Sequence, residues 1–367
     1  MTQLHTVQVL GGGSAGSSAH VRSLAAGLVA RGVRVTVCAP ASLEHDYDFL
    51  GAGAHFVPVP RRSDPAAVAV LRAVCAAADV VHAHGLDAAV RTGLALGRQR
   101  RAPLVVTWHT RAPAGGARGQ VLRLLERRAV RAAAVVLGTS SELVDRARDR
   151  GARDARLSPV SVPGPRRPVG SYENKARAEL GAVDRPLLMA VGRLEPDRGY
   201  ATLLDAARDW RGLDPVPLVA IAGEGGEREL LQRRIDAEGL PVRLIGRRDD
   251  VTDLLAAADL ALLPSRWEAR SLLAQEALRL GVPLVATRVG GIPELVGEAA
   301  ELVPYGDPAA LARAVTGLLA DPDRRRRLAT AGPAQAATWP TEDETIAQVL
   351  SIYDELTQSR PPRPGRP

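Results

Sequence analysis

The chain has 367 residues, 46% of them hydrophobic and 24% charged, which indicates a globular protein large enough for two domains and excludes a disordered one. Two cysteines, Cys38 and Cys75, lie in apolar segments, which argues against a disulfide framework and favours a reducing compartment. The sequence shows no charged and apolar leader and no apolar run of the roughly 20 residues that would span a bilayer, so we expect a cytoplasmic protein.

The net charge of +7 is distributed unevenly. Residues 1–170 carry 23 arginines and 11 acidic residues, a net charge of +12, whereas residues 171–367 carry 25 basic and 30 acidic residues, a net charge of −5. A basic front half can attract anionic lipid headgroups, nucleic acid or acidic acceptors. The preference for arginine over lysine is also what a GC-rich coding sequence produces, so both interpretations stay open.

The chain opens on an apolar strand, the glycine-rich segment GGGSAGSSAH, a helix and a second strand. Gly11, Gly13 and Gly16 satisfy the G-x-G-x-x-G dinucleotide pattern. That interpretation requires an acidic residue at the end of the second strand, and residues 38–40 are Cys-Ala-Pro. The alternative is a glycine loop that lets a sugar phosphate approach the backbone, with His20 beginning the helix.

Three histidines follow the next strands of this half. His82 and His84 end the segment ADVVHAH, and His109 follows the strand LVVTW. A metal site would need further cysteine or carboxylate ligands, which are not evident beside them. Histidines that are packed and hydrogen-bonded in the core are a further alternative.

A basic amphipathic helix, GQVLRLLERRAVRAA, comes next, with Arg123, Arg127, Arg128 and Arg131 flanking its apolar residues. Such a helix suits either the surface of an anionic membrane or plain exposure to solvent. The following segment is rich in proline, serine and glycine and has no periodicity, which is typical of a linker. We therefore predict a first domain at 1–165, a linker at 166–185 and a second domain at 186–345.

The second domain begins with a strand, the turn GRLEPDRG and a helix. The turn carries Arg193 and Arg198, and arginines beside a helix N-terminus suit a phosphate group, because the first N–H groups of a helix are free to bind anions. Two later strands end at Gly223 and at Gly246–Arg247.

Residues 264–295 are the stretch around which the chain is organised. They predict a buried strand, a loop with Glu268, a helix over residues 271–280 that ends at Gly281, and another buried strand. Glu276 lies further along that helix. Because a helix N-terminus favours phosphate and carboxylates favour hydroxyl donors, we predict a nucleotide-linked sugar as the ligand.

These motifs carry a resemblance to a known family. The Glu-x7-Glu arrangement of Glu268 and Glu276, followed by Gly-Val-Pro-Leu-Val-Ala and Val-Gly-Gly-Ile-Pro-Glu, resembles the donor site of retaining GT-B glycosyltransferases of the large family four. Gly16, His20 and Val21 match its Gly-Gly-x-x-x-His-Val opening. The resemblance covers nearly the full chain. It implies an α/β, GT-B fold with two Rossmann-like domains facing across a cleft, a helix at 346–360 that crosses back to the first domain, and a disordered tail at 361–367.

The resemblance implies transfer of a hexose-type sugar from a UDP- or GDP-sugar, with retention of configuration and without metal or further cofactor. Arg193 and Arg198 would grip the diphosphate, Glu268 the sugar hydroxyls and Glu276 the ribose hydroxyls. The acceptor would be a lipid, a small polyol or a glycan, with peripheral contact to an anionic inner membrane face through the basic domain and no nucleic-acid partner. The implied site comprises the catalytic residues His109, Arg193, Arg198 and Glu268 and the donor-binding residues Gly16, His20, Gly223, Gly246, Arg247, Arg270, Ser271, Leu272, Leu273 and Glu276.

The chain departs from the family pattern at two places. Arg198 stands where the family has lysine, and Ala269-Arg270-Ser271 stands where it has Gly-Phe-Gly. Side chains there limit how closely the backbone can approach a phosphate or sugar. Either the loop tolerates small residues and Arg270 adds a new contact, or the site has an altered choice of donor. Loss of activity would leave a catalytically impaired sugar-nucleotide-binding protein. A GT-B-fold sugar-nucleotide epimerase, which shares the architecture, is a further alternative.

Overall fold

The computed structural model describes residues 3–12, 15–60, 64–97, 102–111, 116–160 and 172–358. The chain divides into two compact units. The first unit comprises Met1–Pro163 with Pro340–Pro367, and the second comprises Gly164–Trp339.

The first unit is built on a parallel sheet of seven described strands in the order β3-β2-β1-β4-β5-β6-β7. The strands are β1 His5–Leu10, β2 Arg34–Ala39, β3 His55–Pro58, β4 Val80–His84, β5 Leu104–Trp108, β6 Val135–Gly138 and β7 Ala155–Leu157. The helices between them are α1 Ala15–Ala30, α2 Ala41–Tyr47, α3 Ala66–Cys75, α4 Leu86–Leu96, α5 Gly116–Ala132 and α6 Ser141–Asp149. Every described pair in this sheet is parallel, as the short apolar strands between helices predict.

The second unit has a parallel sheet of six strands in the order β10-β9-β8-β11-β12-β13. The strands are β8 Leu187–Val191, β9 Leu218–Ala222, β10 Val242–Gly246, β11 Leu260–Leu263, β12 Leu284–Thr287 and β13 Glu301–Val303. The helices are α7 Tyr172–Leu180, α8 Tyr200–Trp210, α9 Arg228–Glu238, α10 Val251–Ala256, α11 Leu272–Leu280, α12 Ile292–Val296, α13 Pro308–Ala320 and α14 Pro322–Ala336. The strands alternate between two buried clusters: Leu187 and Met189 face one, whereas Leu188 and Ala190 face the other. Helices therefore cover both faces of the sheet.

The last helix, α15 Glu342–Gln358, belongs to the first unit. Ile346, Val349, Ile352 and Tyr353 enter the core that α1 and β1 line. Burying a large apolar side chain of this kind stabilises a fold by about 1.5–3 kcal/mol, so the helix is an integral part of the unit. The predicted C-terminal helix that returns to the first domain is confirmed.

The segments between and after the sheets are described only in part. Residues 161–171, which include the start of the predicted linker, and residues 359–367, which include the predicted tail, lie outside the described ranges. Within the predicted linker, Tyr172–Leu180 form helix α7. No helix in the described ranges is both long and apolar enough to cross a membrane.

Candidate functional site

The turn between β8 and α8 is held against the loop that follows β11. Gly199 has a φ of 72°, and a Cβ placed on it would lie 2.0 Å from the carbonyl oxygen of Pro264. The backbone N–H of Arg266 donates to the carbonyl of Asp197 at 2.8 Å. Because a Cβ at position 199 would collide with this carbonyl, only glycine suits the position. Its small size lets the turn that carries Arg198 lie next to the loop that carries Glu268.

This approach places Arg198 and Glu268 in direct contact as an ion pair. Ser265 Oγ donates to Glu268 Oε1 at 3.0 Å. Burial raises the pKa of the Glu268 carboxyl above its usual range, while the positive charge of Arg198 and the Ser265 hydroxyl oppose that rise. The pair places a cation, Arg198, beside a hydrogen-bond acceptor, Glu268. Together they can bind a ligand that carries both an anionic group and a hydroxyl.

Helix α11 begins directly after this loop. The Ser271 side chain caps it by accepting a hydrogen bond from Ala274 N at 3.4 Å, and Gly281 ends it in a left-handed conformation. The predicted helix and its end are thus confirmed. Leu272 and Leu273 lie in its first turn, where N–H groups have no partner within the helix and remain available to an anion.

Glu276 and Arg270 lie at the same helix in different surroundings. Glu276 is half-buried on α11, and burial raises the pKa of its carboxyl, with Arg279 opposing the rise. The Arg270 guanidinium lies 5.7 Å from the ring centroid of Trp339, and that of Arg279 lies 5.5 Å from the same ring. Burial lowers the pKa of Arg270 to about 10. The structure gives Arg270 a packing role, and a contact of Arg270 with a donor stays a prediction.

The Arg193 side chain does not join the Arg198–Glu268 pair among the described contacts. It is 77% exposed and donates to Glu195 at 3.1 Å. The structure therefore brings Arg198, Glu268 and the start of α11 together and leaves Arg193 in solvent.

The predicted donor-binding residues Gly223, Gly246 and Arg247 lie where β9 and β10 end. Gly223 N donates to the carbonyl of Gly246 at 2.8 Å, and a Cβ on Gly223 would lie 1.9 Å from the carbonyl oxygen of Gly192. The absence of side chains lets these strand ends meet closely. Arg247, the next residue after β10, is exposed. A donor-binding role for these residues stays a prediction.

In the first unit, four histidines gather at the ends of β4 and β5. His20 lies in the second turn of α1, which starts at Ala15, so the prediction that His20 begins the helix is wrong. Gly16 lies in the first turn of α1, and residues 13 and 14 of the glycine loop lie outside the described ranges. The His20 ring is 5.7 Å from that of His109 and 5.9 Å from that of His84.

These histidines are neutral at pH 7. Burial lowers the pKa of His20 to about 4 and that of His109 to about 3, and it places those of His82 and His84 well below their usual value. Within the described residues, no group of three His, Cys, Asp or Glu side chains is arranged to hold a metal ion.

Hydrogen bonds connect the histidines to residues that sequence reasoning missed. His84 Nε2 lies 3.0 Å from Gln8 Oε1, and His82 Nδ1 lies 2.6 Å from the hydroxyl of Tyr353. Gln8 could have been recognised from the sequence as a polar residue in the middle of the apolar strand HTVQVL. Tyr353 gave no comparable signal, because a tyrosine on the apolar face of a helix is ordinary.

The basic helix α5 exposes apolar and charged side chains together. Val121 is 59% and Leu124 57% exposed, and Arg123, Arg127 and Arg128 beside them are exposed as well. Such a surface suits an anionic interface, and contact with a membrane stays a prediction.

Two parallel-sheet units, with a basic turn next to an acidic loop in the second, agree with the predicted GT-B fold. The model for glycosyl transferases group 1 matches residues 172–335, and that for the glycosyl transferase 4-like domain matches residues 15–163. Among related proteins is the D-inositol 3-phosphate glycosyltransferase of Xylanimonas cellulosilytica, 33% identical over 315 residues that cover 78% of this chain and 74% of that protein. The chain therefore belongs to the glycosyl transferases group 1 family.

Two further similarities bear on the fold and the activity. The alpha-D-kanosaminyltransferase of Streptomyces kanamyceticus is 33% identical over 254 residues, and this match spans 64% of each chain. The crystal structure of HepE from Anabaena in complex with UDP-glucose has a TM-score of 0.80 at 22% identity, covering 95% of this chain and 99% of that one. This structural similarity confirms the predicted GT-B fold. These similarities do not favour the binding-protein or the epimerase alternative.

Proposed function

We propose that this chain transfers a hexose-type sugar from a UDP- or GDP-sugar to an acceptor hydroxyl, with retention of configuration and without a metal ion. The observation that carries the proposal is the contact of Arg198 with Glu268 beside the first turn of α11. It supplies a cation and helix N–H groups for a diphosphate and a carboxylate for sugar hydroxyls, within the span that the family model matches.

In the proposed reaction the bond between the sugar C1 and the diphosphate oxygen breaks, and a bond between C1 and the acceptor oxygen forms on the same face. The acceptor proton passes to the departing phosphate oxygen, so atoms and charge balance. Arg198 and the N–H groups of Leu272 and Leu273 stabilise the negative charge that develops on the leaving group, and Arg193, exposed in the free protein, turns from Glu195 to the diphosphate when the donor binds. Glu268 orients the sugar as a hydrogen-bond acceptor and is not a nucleophile.

Donor binding competes with the Arg198–Glu268 ion pair of the free protein. When the diphosphate takes Arg198 as its partner, Glu268 is left buried with Ser265 and needs a new donor. A sugar hydroxyl meets that need. The pair thus links recognition of the phosphate to recognition of the sugar.

The relatives support a class of donor and of acceptor. HepE is described in complex with UDP-glucose, which supports a uridine donor, and the D-inositol 3-phosphate glycosyltransferase supports a small polyol acceptor. A lipid or glycan acceptor fits the basic, partly apolar surface of α5 instead, with peripheral contact to the membrane face. We place the reaction in the cytoplasm.

The test is release of nucleoside diphosphate, with EDTA present, from UDP- and GDP-sugars in the presence of inositol phosphates, free polyols, short glycans or anionic lipid vesicles. We expect release that requires both one donor and one acceptor, and a product whose anomeric configuration, read by NMR, matches that of the donor. Arg198→Ala should lower kcat by about 100-fold or more, because it removes a charge that stabilises the leaving group. Arg208→Ala, an exposed arginine of the same unit, should leave kcat unchanged.

Other outcomes contradict the proposal. A change of the sugar without any acceptor would indicate an epimerase. Binding of a sugar nucleotide, seen as a rise in melting temperature, without turnover on any acceptor would indicate a binding protein. Glu276→Ala should abolish that rise if Glu276 holds the ribose.

A further inference from the structure

The histidines of the first unit form a hydrogen-bonded chain that starts at His109. His109 Nε2 lies 3.3 Å from His84 Nδ1, and His84 Nε2 lies 3.0 Å from Gln8 Oε1. Gln8 Nε2 donates to the Tyr353 hydroxyl at 3.0 Å. The chain therefore runs from the end of β5 through β4 and β1 to the C-terminal helix α15.

The same chain continues beyond Tyr353. The Tyr353 hydroxyl lies 2.6 Å from His82 Nδ1, and His82 Nε2 lies 2.6 Å from Thr107 Oγ1. Gln8, His82, Thr107 and Tyr353 are all buried, so water does not compete for these bonds.

The side-chain amide of Gln8 gives the chain a direction. An amide oxygen only accepts, so the proton between Gln8 and His84 is on His84 Nε2. A neutral imidazole with its proton on Nε2 accepts at Nδ1, so the proton between His84 and His109 is on His109 Nε2. On the other side, Tyr353 accepts from Gln8 and uses its own proton for His82 Nδ1.

We propose that Gln8 and Tyr353 are positioning residues that act on His109 through His84, holding its proton on Nε2 and leaving the Nδ1 lone pair to accept a hydrogen bond from a substrate hydroxyl. The tautomer of His109 follows from the series of hydrogen bonds alone, whereas the contact with substrate rests on the proposed function. Among the described residues, His109 Nδ1 has no hydrogen-bond partner, and His109 is the half-buried end of a chain that is otherwise buried.

Charge supports the same assignment. Among the described residues, the rings of His20 and His84 lie against that of His109, and His82 also interacts with it electrostatically. Burial lowers the pKa of all four rings. A neutral ring has one donor and one acceptor nitrogen, and the bond to His84 occupies the donor. His109 can therefore take a hydroxyl as its partner and cannot donate to a phosphate or a carbonyl.

Histidine-specific ¹⁵N labelling and two-bond ¹H–¹⁵N correlation spectra of the full chain test the tautomers without any substrate. We expect His82, His84 and His109 to carry the proton on Nε2, with assignments made from single His→Gln variants. Protons on Nδ1 of His84 and His109 would mean that the amide of Gln8 points the other way and would overturn the proposal.

Tyr353→Phe keeps the ring in the core and removes only the hydroxyl that fixes the Gln8 amide. We expect a mixture of tautomers at His109 and a loss of about fivefold in kcat/KM, the size of one hydrogen bond. Thr357→Ala removes a hydroxyl of the same helix that takes no part in the hydrogen bonds from His109 to Thr107. It should change neither the tautomer of His109 nor kcat/KM. An unchanged His109 spectrum in Tyr353→Phe would refute the proposal. An inactive wild type with the expected tautomers would refute the proposed function alone.

Discussion

At the scale of single residues, Arg198, which stands where the family has lysine, forms an ion pair with Glu268 in the free protein. A guanidinium presents a planar fork of donors, and Arg198 donates from Nη1 to Glu268 Oε1. The Glu268 side chain is only 14% exposed, so its charge depends on this partner and on Ser265. Removing Arg198, a residue predicted for catalysis, should therefore also destabilise the fold.

We predict that Arg198→Ala lowers the free energy of unfolding by about 1–3 kcal/mol, because it leaves a buried carboxylate without its cation. The double variant Arg198→Ala with Glu268→Gln should recover part of that loss, since a neutral amide needs no counter-ion. Urea denaturation of the wild type, both single variants and the double variant measures the coupling. Strictly additive changes would contradict a direct pair.

At the scale of elements, the position of α8 and α11 depends on a contact between two backbones. Gly199 and the carbonyl of Pro264 can approach only because position 199 has no Cβ. The cap at Ser271 fixes the first turn of α11 beside that contact.

Gly199→Ala should lower the free energy of unfolding by about 2 kcal/mol or more, because alanine is strained at positive φ and its Cβ would collide with the Pro264 carbonyl. Gly212→Ala is the matched control, since a Cβ there meets nothing within 4 Å, and it should stay within about 0.5 kcal/mol of wild type. Chemical denaturation compares the two. Equal stability of both variants would show that the turn can move aside.

Ser271→Ala should cost about 1 kcal/mol of stability through loss of the N-cap, and Ser271→Gly, the family residue, only a few tenths. Thermal melts of the three proteins at one pH give the ranking. A larger loss in the glycine variant than in the alanine variant would show that the Ser271 side chain is not acting as a cap.

At the scale of the whole molecule, the buried histidines make stability depend on pH. The folded-state pKa values of His20 and His109, about 4 and about 3, lie below the value of about 6.5 that an exposed histidine has. The unfolded chain therefore binds more protons between those values, so stability is complete above pH 6.5 and falls as the pH drops below it. The raised pKa values of Glu268 and Glu276 act in the opposite direction, because the folded protein then binds more protons at these carboxyl groups than the unfolded chain does.

We predict that lowering the pH from 6.5 to 5.5 reduces the free energy of unfolding by about 1 kcal/mol for each buried histidine. Urea titrations at both pH values measure the total difference in the free energy of unfolding. His20→Gln keeps a polar side chain that cannot be protonated, so it should reduce that difference by the contribution of one histidine, about 1 kcal/mol. A flat profile, or an unchanged difference in His20→Gln, would contradict the neutral cluster.

The sequence by itself determined the parallel sheets, the helix from Ser271 to Gly281 and the family, because these depend on local apolar periodicity and on residues at fixed spacing along the chain. It also predicted that Arg198 and Glu268 follow strands of the second parallel sheet, and the carboxyl ends of parallel strands lie at one edge of their sheet. Only the tertiary structure decided that Arg198 pairs with Glu268, that Arg270 packs on Trp339, and that Gln8 and Tyr353 join the histidines. Gln8 and Tyr353 are 345 positions apart. Contacts of that kind depend on how distant elements pack, and local patterning carries no information about them.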